Sequence, residues 1–279
     1  MNVEGKFREK KLLVLAALLF FGSLVASAQP PQSAFPARIS RWLDGDTAQI
    51  RVLGDAPNWV GSYETVRLLG IDTPEMGEPF SEEALRFFRT LTLGKNVYVE
   101  LSAWERRDVH SRLLAYLWVE ASAGWVLVNE ALLRAGLARL LVYYPELEKY
   151  YCRFLRALTL AQVDKLGLWG EYKEPIELAS IETNPTKYVL ETVSVIFSVS
   201  RVGQDRFGWS LWAEGSQFGF RAVIQDPCSQ GWETAQFSPE NLVGKKIRVT
   251  GELRWDSLEG GPRLIVYFPE QLMVLKEGE

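Results

Sequence analysis

Two series of short strand-like runs, separated by a polar stretch, constrain the fold of this 279-residue chain most strongly. The first series is rich in β-forming residues, and Gly, Asp or Asn bounds its runs, as is typical of strands; it comprises residues 39–43, 48–53, 66–69 and 97–101. A further run, residues 113–119, is apolar at nearly every position. Such a run indicates a strand that is buried on both faces.

Three segments with helical spacing accompany the first series. Residues 79–93 carry apolar side chains on one stripe, have acidic residues in the first turn, and end just before Gly94. The other two segments are 129–135 and 145–166, each followed by glycine. The apolar stripe of 145–166 is interpreted as core packing.

The second series follows a polar, Pro-containing stretch, residues 171–186, which is predicted to be a linker. Its runs show no helical period and are residues 188–199, 208–213, 218–225, 246–253, 264–268 and 272–275. Five or six short strands in about 90 residues predict a small barrel or sandwich. The fold class is therefore α+β and mainly β, with two domains.

The N-terminal residues 1–28 have the pattern of a secretory signal peptide. A basic stretch precedes an apolar run, and Ala26-Ser27-Ala28 supplies the small residues of a cleavage site after Ala28. The run is shorter than the roughly 20 residues of a membrane span. We expect a secreted mature chain that begins with a Pro-rich leader, residues 29–37, and has no stable membrane span. An uncleaved N-terminal anchor is the alternative.

Composition limits the chemistry of any site. Two cysteines, Cys152 and Cys228, and one histidine exclude a cysteine-based zinc site and a histidine cluster, so a metal would need mostly oxygen ligands. In an oxidising compartment the cysteines either pair or remain buried thiols. The net charge of −4 excludes a protein that depends on a strongly basic surface.

Acidic residues and arginines are concentrated in three stretches, Asp44–Thr47, Arg67–Glu75 and Asp108–Arg112. Carboxylates beside a main-chain carbonyl can hold a hard cation such as calcium or magnesium. Two arginines can hold a phosphate by paired hydrogen bonds, and a further carboxylate can orient or deprotonate water. Together these groups are what attack on a phosphodiester needs. Taken singly, such residues more often form turns and ion pairs.

The order of the motifs is more specific than any one of them. DGDT, RLLGIDTPE, D-x-x-x-R-L-L-A-Y, VNEALLRAGLA and GLWG follow one another over about residues 38–170. This series resembles the staphylococcal nuclease (thermonuclease) family. The resemblance implies a nuclease domain at 38–170 with a five-stranded OB barrel and three helices. It also implies calcium-dependent cleavage of DNA and RNA that leaves 3′-phosphates.

The resemblance assigns roles to the acidic residues. Asp46 and Asp72 would give carboxylate oxygens to Ca²⁺, and Thr73 its main-chain carbonyl. Glu75 would position or deprotonate the attacking water.

The resemblance also implies that Arg67 and Arg112 clamp the scissile phosphate and stabilise the charge that develops there. Asp44 and Asp108 match family acids with supporting roles, and Asp108 is expected to steady its loop. The implied partner is DNA or RNA, with no obligate protein partner evident.

Three positions depart from the family pattern. His110 stands where the best-known member has Tyr, and it either bonds a nucleotide phosphate or is an exposed loop histidine. Ser111 replaces Gly, which tolerates backbone angles that Ser does not. Of the family's two substrate-stacking tyrosines, Tyr144 is kept and Val142 replaces the other. These changes bear on substrate binding more than on the chemistry.

The nuclease-like domain has almost no net charge, because residues 38–170 hold 16 basic and 17 acidic residues. Seven arginines either form a local basic face or pair with the acids: Arg106, Arg107, Arg112, Arg134, Arg139, Arg153 and Arg156.

The second series resembles an OB-fold nucleic-acid-binding module over about residues 187–277, which defines a second domain at 187–279. Its aromatic residues either stack on bases or fill the barrel; they are Trp209, Trp212, Phe218 and Phe220. Residues 171–279 hold 11 basic and 16 acidic residues, and this negative net charge favours aromatic residues that fill the barrel.

Two functions follow. The first is a secreted, calcium-dependent nuclease. The alternative is a catalytically inactive nuclease-like module that binds nucleic acid or protein, and it is less favoured because every proposed catalytic position is present.

Overall fold

The structure of the protein is a computed structural model. The structure describes residues 29–122, 124–143, 148–170, 174–205, 208–228, 232, 238–256 and 261–276. The signal-like residues 1–28 and the predicted substrate residue Tyr144 lie outside this part of the chain. Two compact units divide between residues 154 and 155.

The first unit is a closed five-stranded barrel. Its strands, together with a sixth that extends the sheet, are β1 (Phe35–Trp42), β2 (Thr47–Val52), β3 (Tyr63–Leu68), β5 (Val97–Leu101), β6 (Leu113–Ala121) and β7 (Gly124–Leu127). β1 pairs with β2 and β5, β2 with β3, and β5 with β6, all antiparallel. β3 closes the barrel by pairing parallel with β6. The five-stranded barrel expected from the resemblance is confirmed.

The burial of each strand follows its sequence pattern. β6 is buried at all but one position from Leu113 to Val119, as its continuous apolar run predicts. β1 begins at Phe35, earlier than its alternation predicts, because Phe35 and Ala37 are buried and pair with Val99 and Val97 of β5.

The three helices are α1 (Ser81–Thr92), α2 (Val128–Arg134) and α3 (Tyr151–Val163). α1 buries Ala84, Phe87, Phe88 and Leu91, the stripe that its spacing predicts. A short two-stranded sheet joins β4 (Ile71–Asp72) to β8 (Arg139–Leu140), and it places Asp72 opposite Arg139.

The second unit is a closed barrel with the same connectivity. Its strands are β9 (Thr192–Asp205), β10 (Gly208–Ala213), β11 (Arg221–Ile224), β12 (Lys246–Asp256), β13 (Gly261–Val266) and β14 (Leu272–Val274). The first strand, β9, pairs antiparallel with β10 and β12. The third, β11, pairs parallel with β13, which also pairs with β12 and closes the barrel. β14 extends the sheet beside β12.

A helix that sequence patterns miss lies within the stretch read as a linker. α4 (Leu178–Thr183) buries Ile181 completely in the core of the second unit, and Ile176 and Leu178 pack against that core. Only three apolar residues fall in this six-residue helix, Leu178, Ala179 and Ile181, too few for a helical period.

The aromatic residues of the second unit divide between the core and the surface. Phe220 is fully buried and packs edge-on against Phe197, so it fills the barrel. Phe218 is half exposed, and the guanidinium of Arg201 lies 3.7 Å from the ring centre of Trp212.

Two further features concern the cysteines and the helices. Neither Cys152 nor Cys228 is a free thiol. In the part of the chain that the structure describes, no helix combines the length and apolar character needed to cross a membrane.

Candidate active site

Asp46 is the most buried carboxylate of the site. It lies in the turn before β2, and only 5% of its surface is exposed. Its Oδ2 accepts hydrogen bonds from the main-chain N–H of Thr73 at 2.8 Å and from the Thr73 hydroxyl at 2.9 Å. Its Oδ1 accepts one from the hydroxyl of Thr47 at 3.1 Å. The DGDT and RLLGIDTPE motifs therefore meet at this side chain.

Burial raises the pKa of Asp46 to about 6, because removal from water disfavours the charged form. The charge of Arg67 and the hydrogen bonds from Thr73 act against this rise, while the nearby Asp44 adds to it. A positive charge close to the carboxylate would therefore stabilise its ionised form.

Gly45 makes the approach of these segments possible. A Cβ atom at this position would lie 2.7 Å from the Cβ of Ala84 in α1 and 2.7 Å from the Oγ1 of Thr73. A larger residue would push α1 and Thr73 away from the turn that carries Asp46. The glycine of DGDT is thus required by packing.

Arg67 joins the carboxylates of Asp46 and Asp72. Its Nε lies 3.1 Å from Asp46 Oδ1, and its Nη2 donates to Asp72 Oδ1 at 2.7 Å. Its Nη1 donates to the main-chain carbonyls of Leu68 and Ile71, both at 2.8 Å. Only 12% of its side chain is exposed, so the guanidinium is held in one orientation.

Arg112 lies at the end of a turn that Asp108 organises. Asp108 Oδ1 accepts the main-chain N–H groups of His110 and Arg112, both at 2.9 Å, and its Oδ2 accepts Arg112 Nε at 2.6 Å. The Nη1 of Arg112 lies 3.4 Å from the Oγ1 of Thr47. Since Thr47 also bonds Asp46, its hydroxyl links the two halves of the site.

Two residues of this turn, His110 and Ser111, depart from the family pattern. Ser111 has φ +62°, the left-handed conformation that favours glycine, so the residue that replaces the family's Gly is strained. The His110 side chain is exposed, in agreement with the loop-histidine alternative and also accessible to a ligand.

The remaining predicted residues lie at the edge of the cluster. Asp44 Oδ1 accepts the main-chain N–H of Asp46 at 3.0 Å, which shapes the turn. Glu75 is exposed, and its main-chain N–H donates to Glu78 Oε2 at 3.0 Å. The structure thus brings Asp46, Arg67, Asp72 and Thr73 into direct contact.

Asn129 and Thr47 are contributors to which the sequence patterns assigned no role. The amide of fully buried Asn129 donates to the carbonyl of Leu69 at 2.9 Å and accepts the N–H of Leu117 at 3.1 Å. It thereby fixes the chain just before Asp72. Thr47 is part of DGDT, and an Asp-Thr pair at a strand start is its only signal.

The chemistry of the donor set fits a divalent hard cation. Asp46 and Asp72 share one guanidinium, and the Asp72 side chain is 48% exposed and accessible from solvent. Two carboxylates with the carbonyl of Thr73 supply oxygen ligands only, as Ca²⁺ prefers. Within the described ranges, no group of three or more His, Cys, Asp or Glu side chains is placed to hold a metal. A cation here therefore relies on main-chain oxygen and water as well.

Comparison with known proteins gives relatives for about half of the chain. A family model described as "Staphylococcal nuclease homologue" matches residues 65–171. The chain is 34% identical over 139 residues to "Endonuclease YncB" of Bacillus subtilis (strain 168), covering 48% of this chain and 61% of that protein. It is 32% identical over 139 residues to "SPbeta prophage-derived endonuclease YokF" of the same organism, covering 48% and 43%. The match thus spans less than two thirds of either Bacillus relative.

The match to "Thermonuclease" of Staphylococcus hyicus covers more of the relative. It is 32% identical over 139 residues, 48% of this chain and 75% of that protein. With the barrel and the assembled motifs, this similarity shows that the chain belongs to the staphylococcal nuclease family.

Proposed function

We propose that this chain is a nuclease that hydrolyses phosphodiester bonds of DNA or RNA. The observation that carries the proposal is the contact network that joins Asp46 to Arg67 and Thr73 directly and to Arg112 through Thr47. The names of the relatives, endonuclease and thermonuclease, support the same reaction.

In this proposal Arg67 and Arg112 both contact the scissile phosphate. The contacts of Arg67 to Asp72 and to two carbonyls fix its plane, so it meets the phosphate in a preorganised orientation. Arg112 is held at Nε by Asp108, and its Nη1 lies 3.4 Å from the Oγ1 of Thr47. The terminal nitrogens of Arg112 can donate paired hydrogen bonds to phosphate oxygens. Arg67, whose N–H groups already face Asp46, Asp72 and two carbonyls, contributes mainly its positive charge.

Glu75 is proposed to orient the attacking water and take its proton. Its side chain is exposed, while the bond from its main-chain N–H to Glu78 steadies the segment. A carboxylate within reach of water and of the phosphate can act as a general base.

We propose Ca²⁺ as the cofactor, held by the carboxylates of Asp46 and Asp72 and the carbonyl of Thr73. A bound divalent cation supplies Lewis-acid stabilisation of negative charge on the phosphate oxygens. We further propose that products carry 3′-phosphates, as the family resemblance implies.

We also propose that the chain acts outside the cytoplasm. The signal-like pattern of residues 1–28 supports export, and the absence of a free thiol at Cys152 and Cys228 fits an oxidising compartment. Sequencing the N-terminus of the exported protein tests this: a start at Gln29 supports cleavage, and an intact Met1 in the membrane fraction supports an anchor.

The nuclease proposal is tested by cleavage of end-labelled single-stranded DNA and RNA in low salt, with Ca²⁺ and then with a chelator. Calcium-dependent cleavage is expected, and the products should resist 3′-tailing until a phosphatase removes the 3′-phosphate. Glu75→Gln should reduce turnover at least 100-fold, on the scale of general-base catalysis, while leaving the thermal unfolding midpoint unchanged.

Glu82→Gln is the matched control. Glu82 is an exposed acid of α1, and its side chain is 80% exposed. The Glu82→Gln variant should cleave DNA and RNA at the same rate as the parent protein. Oligonucleotide binding without cleavage under all these conditions would instead identify a non-catalytic binding module and overturn the proposal.

A further inference from the structure

An aromatic and cationic patch is formed by residues of two loops, one of which carries the Asp108–Arg112 turn. It consists of Trp59, Trp104 and Arg106. The guanidinium of Arg106 lies 4.7 Å from the ring centre of Trp59, within the range of a cation–π contact. Trp59 belongs to the loop between β2 and β3, and the other two residues belong to the loop between β5 and β6.

Arg106 and Arg107 both lie near the Trp59 ring, but in the described part of the chain only Arg107 is paired with a carboxylate. Arg107 lies 5.8 Å from the Trp59 ring centre, and its guanidinium is neutralised by two hydrogen bonds to Glu64, at 2.7 and 2.9 Å. Arg106 is exposed, and among the described residues no carboxylate lies within ion-pair distance of its guanidinium. Arg106 therefore offers an uncompensated positive charge on an aromatic surface.

Trp104, two residues before Arg106 in the same loop, is exposed to solvent. Its side chain is 70% exposed, which is unusual for a large apolar ring. The Ser102 hydroxyl accepts the main-chain N–H groups of Trp104 and Glu105, at 3.3 and 3.2 Å, and so shapes the turn that presents the ring. An exposed indole in the same loop as an arginine without an ion-pair partner in the ranges described has the composition of a base-stacking platform.

Arg107, the neighbour of Arg106 in sequence, connects this loop to the proposed active site. Arg107 donates to the carbonyl of Ser111 at 2.8 Å, one residue before Arg112. Its partner Glu64 lies three residues before Arg67 on β3. Three residues of a strand span about 10 Å, the length of roughly three stacked nucleotides.

We propose that Trp104 and the Trp59–Arg106 pair bind unpaired bases and the adjoining backbone of a single-stranded nucleic acid, a few nucleotides from the cleaved bond. This inference rests on the proposed function. Single strands are favoured over duplexes because only unpaired bases offer their faces to an indole.

The test measures binding separately from cleavage. In the Glu75→Gln background, the affinity for a labelled 10-nucleotide single-stranded DNA in Ca²⁺ is measured by fluorescence anisotropy for Trp104→Ala, Trp104→Phe and Arg106→Ala. Trp104→Ala should weaken binding about tenfold, and Phe should restore most of it, because both rings stack. Arg106→Ala should weaken binding and reduce its salt dependence.

Arg86→Ala is the matched control, since Arg86 is an exposed arginine of α1 whose side chain is 63% exposed. It should change the affinity by less than twofold. Trp104→Ala should weaken the affinity for duplex DNA of the same length much less than the affinity for the single strand. If Trp104→Ala and Trp104→Phe bind the single strand with the same affinity as the Glu75→Gln protein itself, the inference is overturned.

The two proposals fail in different ways. If the parent protein cleaves DNA but Trp104→Ala binds as tightly as its background, the nuclease stands and the stacking surface is wrong. If the parent cleaves nothing but Trp104→Ala still weakens binding, the stacking surface stands and the nuclease is wrong. With an active parent, Trp104→Ala should also lower kcat/KM more for the 10-mer than for a dinucleotide.

Discussion

Asp46 and Thr73 are joined by two hydrogen bonds to a single carboxylate oxygen, one from the main chain and one from the hydroxyl. Both residues are buried, and they are 27 positions apart in sequence. This double contact holds the turn before β2 against the segment that follows β4. It is the point at which two motifs become one site.

Replacement of the Thr73 hydroxyl should therefore weaken the fold as well as the site. Thr73→Val keeps the shape of the side chain but leaves Asp46 with one donor fewer in a buried environment. The free energy of unfolding should fall by about 1–2 kcal/mol, the usual cost of a lost hydrogen bond to a charged group. Urea unfolding at pH 7 measures this change. Thr73→Ser, which keeps the hydroxyl, should lose less, and equal losses in both variants would contradict the explanation.

Gly45 should tolerate no side chain. Gly45→Ala places a methyl group 2.7 Å from both Ala84 Cβ and Thr73 Oγ1, so either α1 or Thr73 must move. We expect a loss of about 1–3 kcal/mol, as for overpacked cores, together with a larger proportional loss of nuclease activity. Gly61→Ala is the control, because its nearest neighbour is the flexible end of Glu64 at 3.3 Å. A Gly45→Ala variant with parental stability and activity would refute the packing argument.

Local patterns were sufficient to predict most of the first barrel. The continuous apolar run of β6 and the stripe of α1 predict their burial, because these patterns depend only on neighbouring residues. The acidic and arginine motifs are likewise visible in the sequence, and the structure joins Arg67 to Asp46 and to Asp72.

Contacts between distant residues could not be read from such patterns. Arg107 pairs with Glu64 across 43 positions, whereas Arg106 next to it does not, and no local signal separates the two. Asn129 supports the chain at Leu69 across 60 positions. The helix α4 has too little periodicity to be predicted, because packing of Ile181 rather than an amphipathic stripe stabilises it.

Ser111 should be a site where glycine stabilises the protein. Its φ of +62° costs most residues about 1 kcal/mol, and glycine avoids this cost. After the greater entropy of glycine in the unfolded chain is subtracted, Ser111→Gly should gain about 0.5 kcal/mol in unfolding free energy. Thr65→Gly, at a regularly paired position of strand β3, should lose stability instead. Thermal and urea unfolding of both variants would test the sign of each change.

The ion pair between Glu64 and Arg107 should make stability depend on pH. Hydrogen bonds from the Arg107 side chain lower the pKa of Glu64 below its ordinary value of 4.5, although partial burial acts in the opposite direction. A carboxylate whose folded pKa is lowered adds stability above its unfolded pKa. That stability is lost as the pH falls through the folded value.

Glu64→Gln should therefore lower the unfolding free energy by about 1–2 kcal/mol at pH 7, the scale of a charged hydrogen bond between partly buried groups. The gap between parent and variant should narrow below about pH 4.5 and be smallest where Glu64 is protonated in both states. Urea unfolding of both proteins from pH 3 to pH 8 measures it. Glu82→Gln, at an exposed acid of α1, should show no comparable gap at any pH. A gap for Glu64→Gln that stays constant over this range would mean that shape, rather than charge, accounts for the loss.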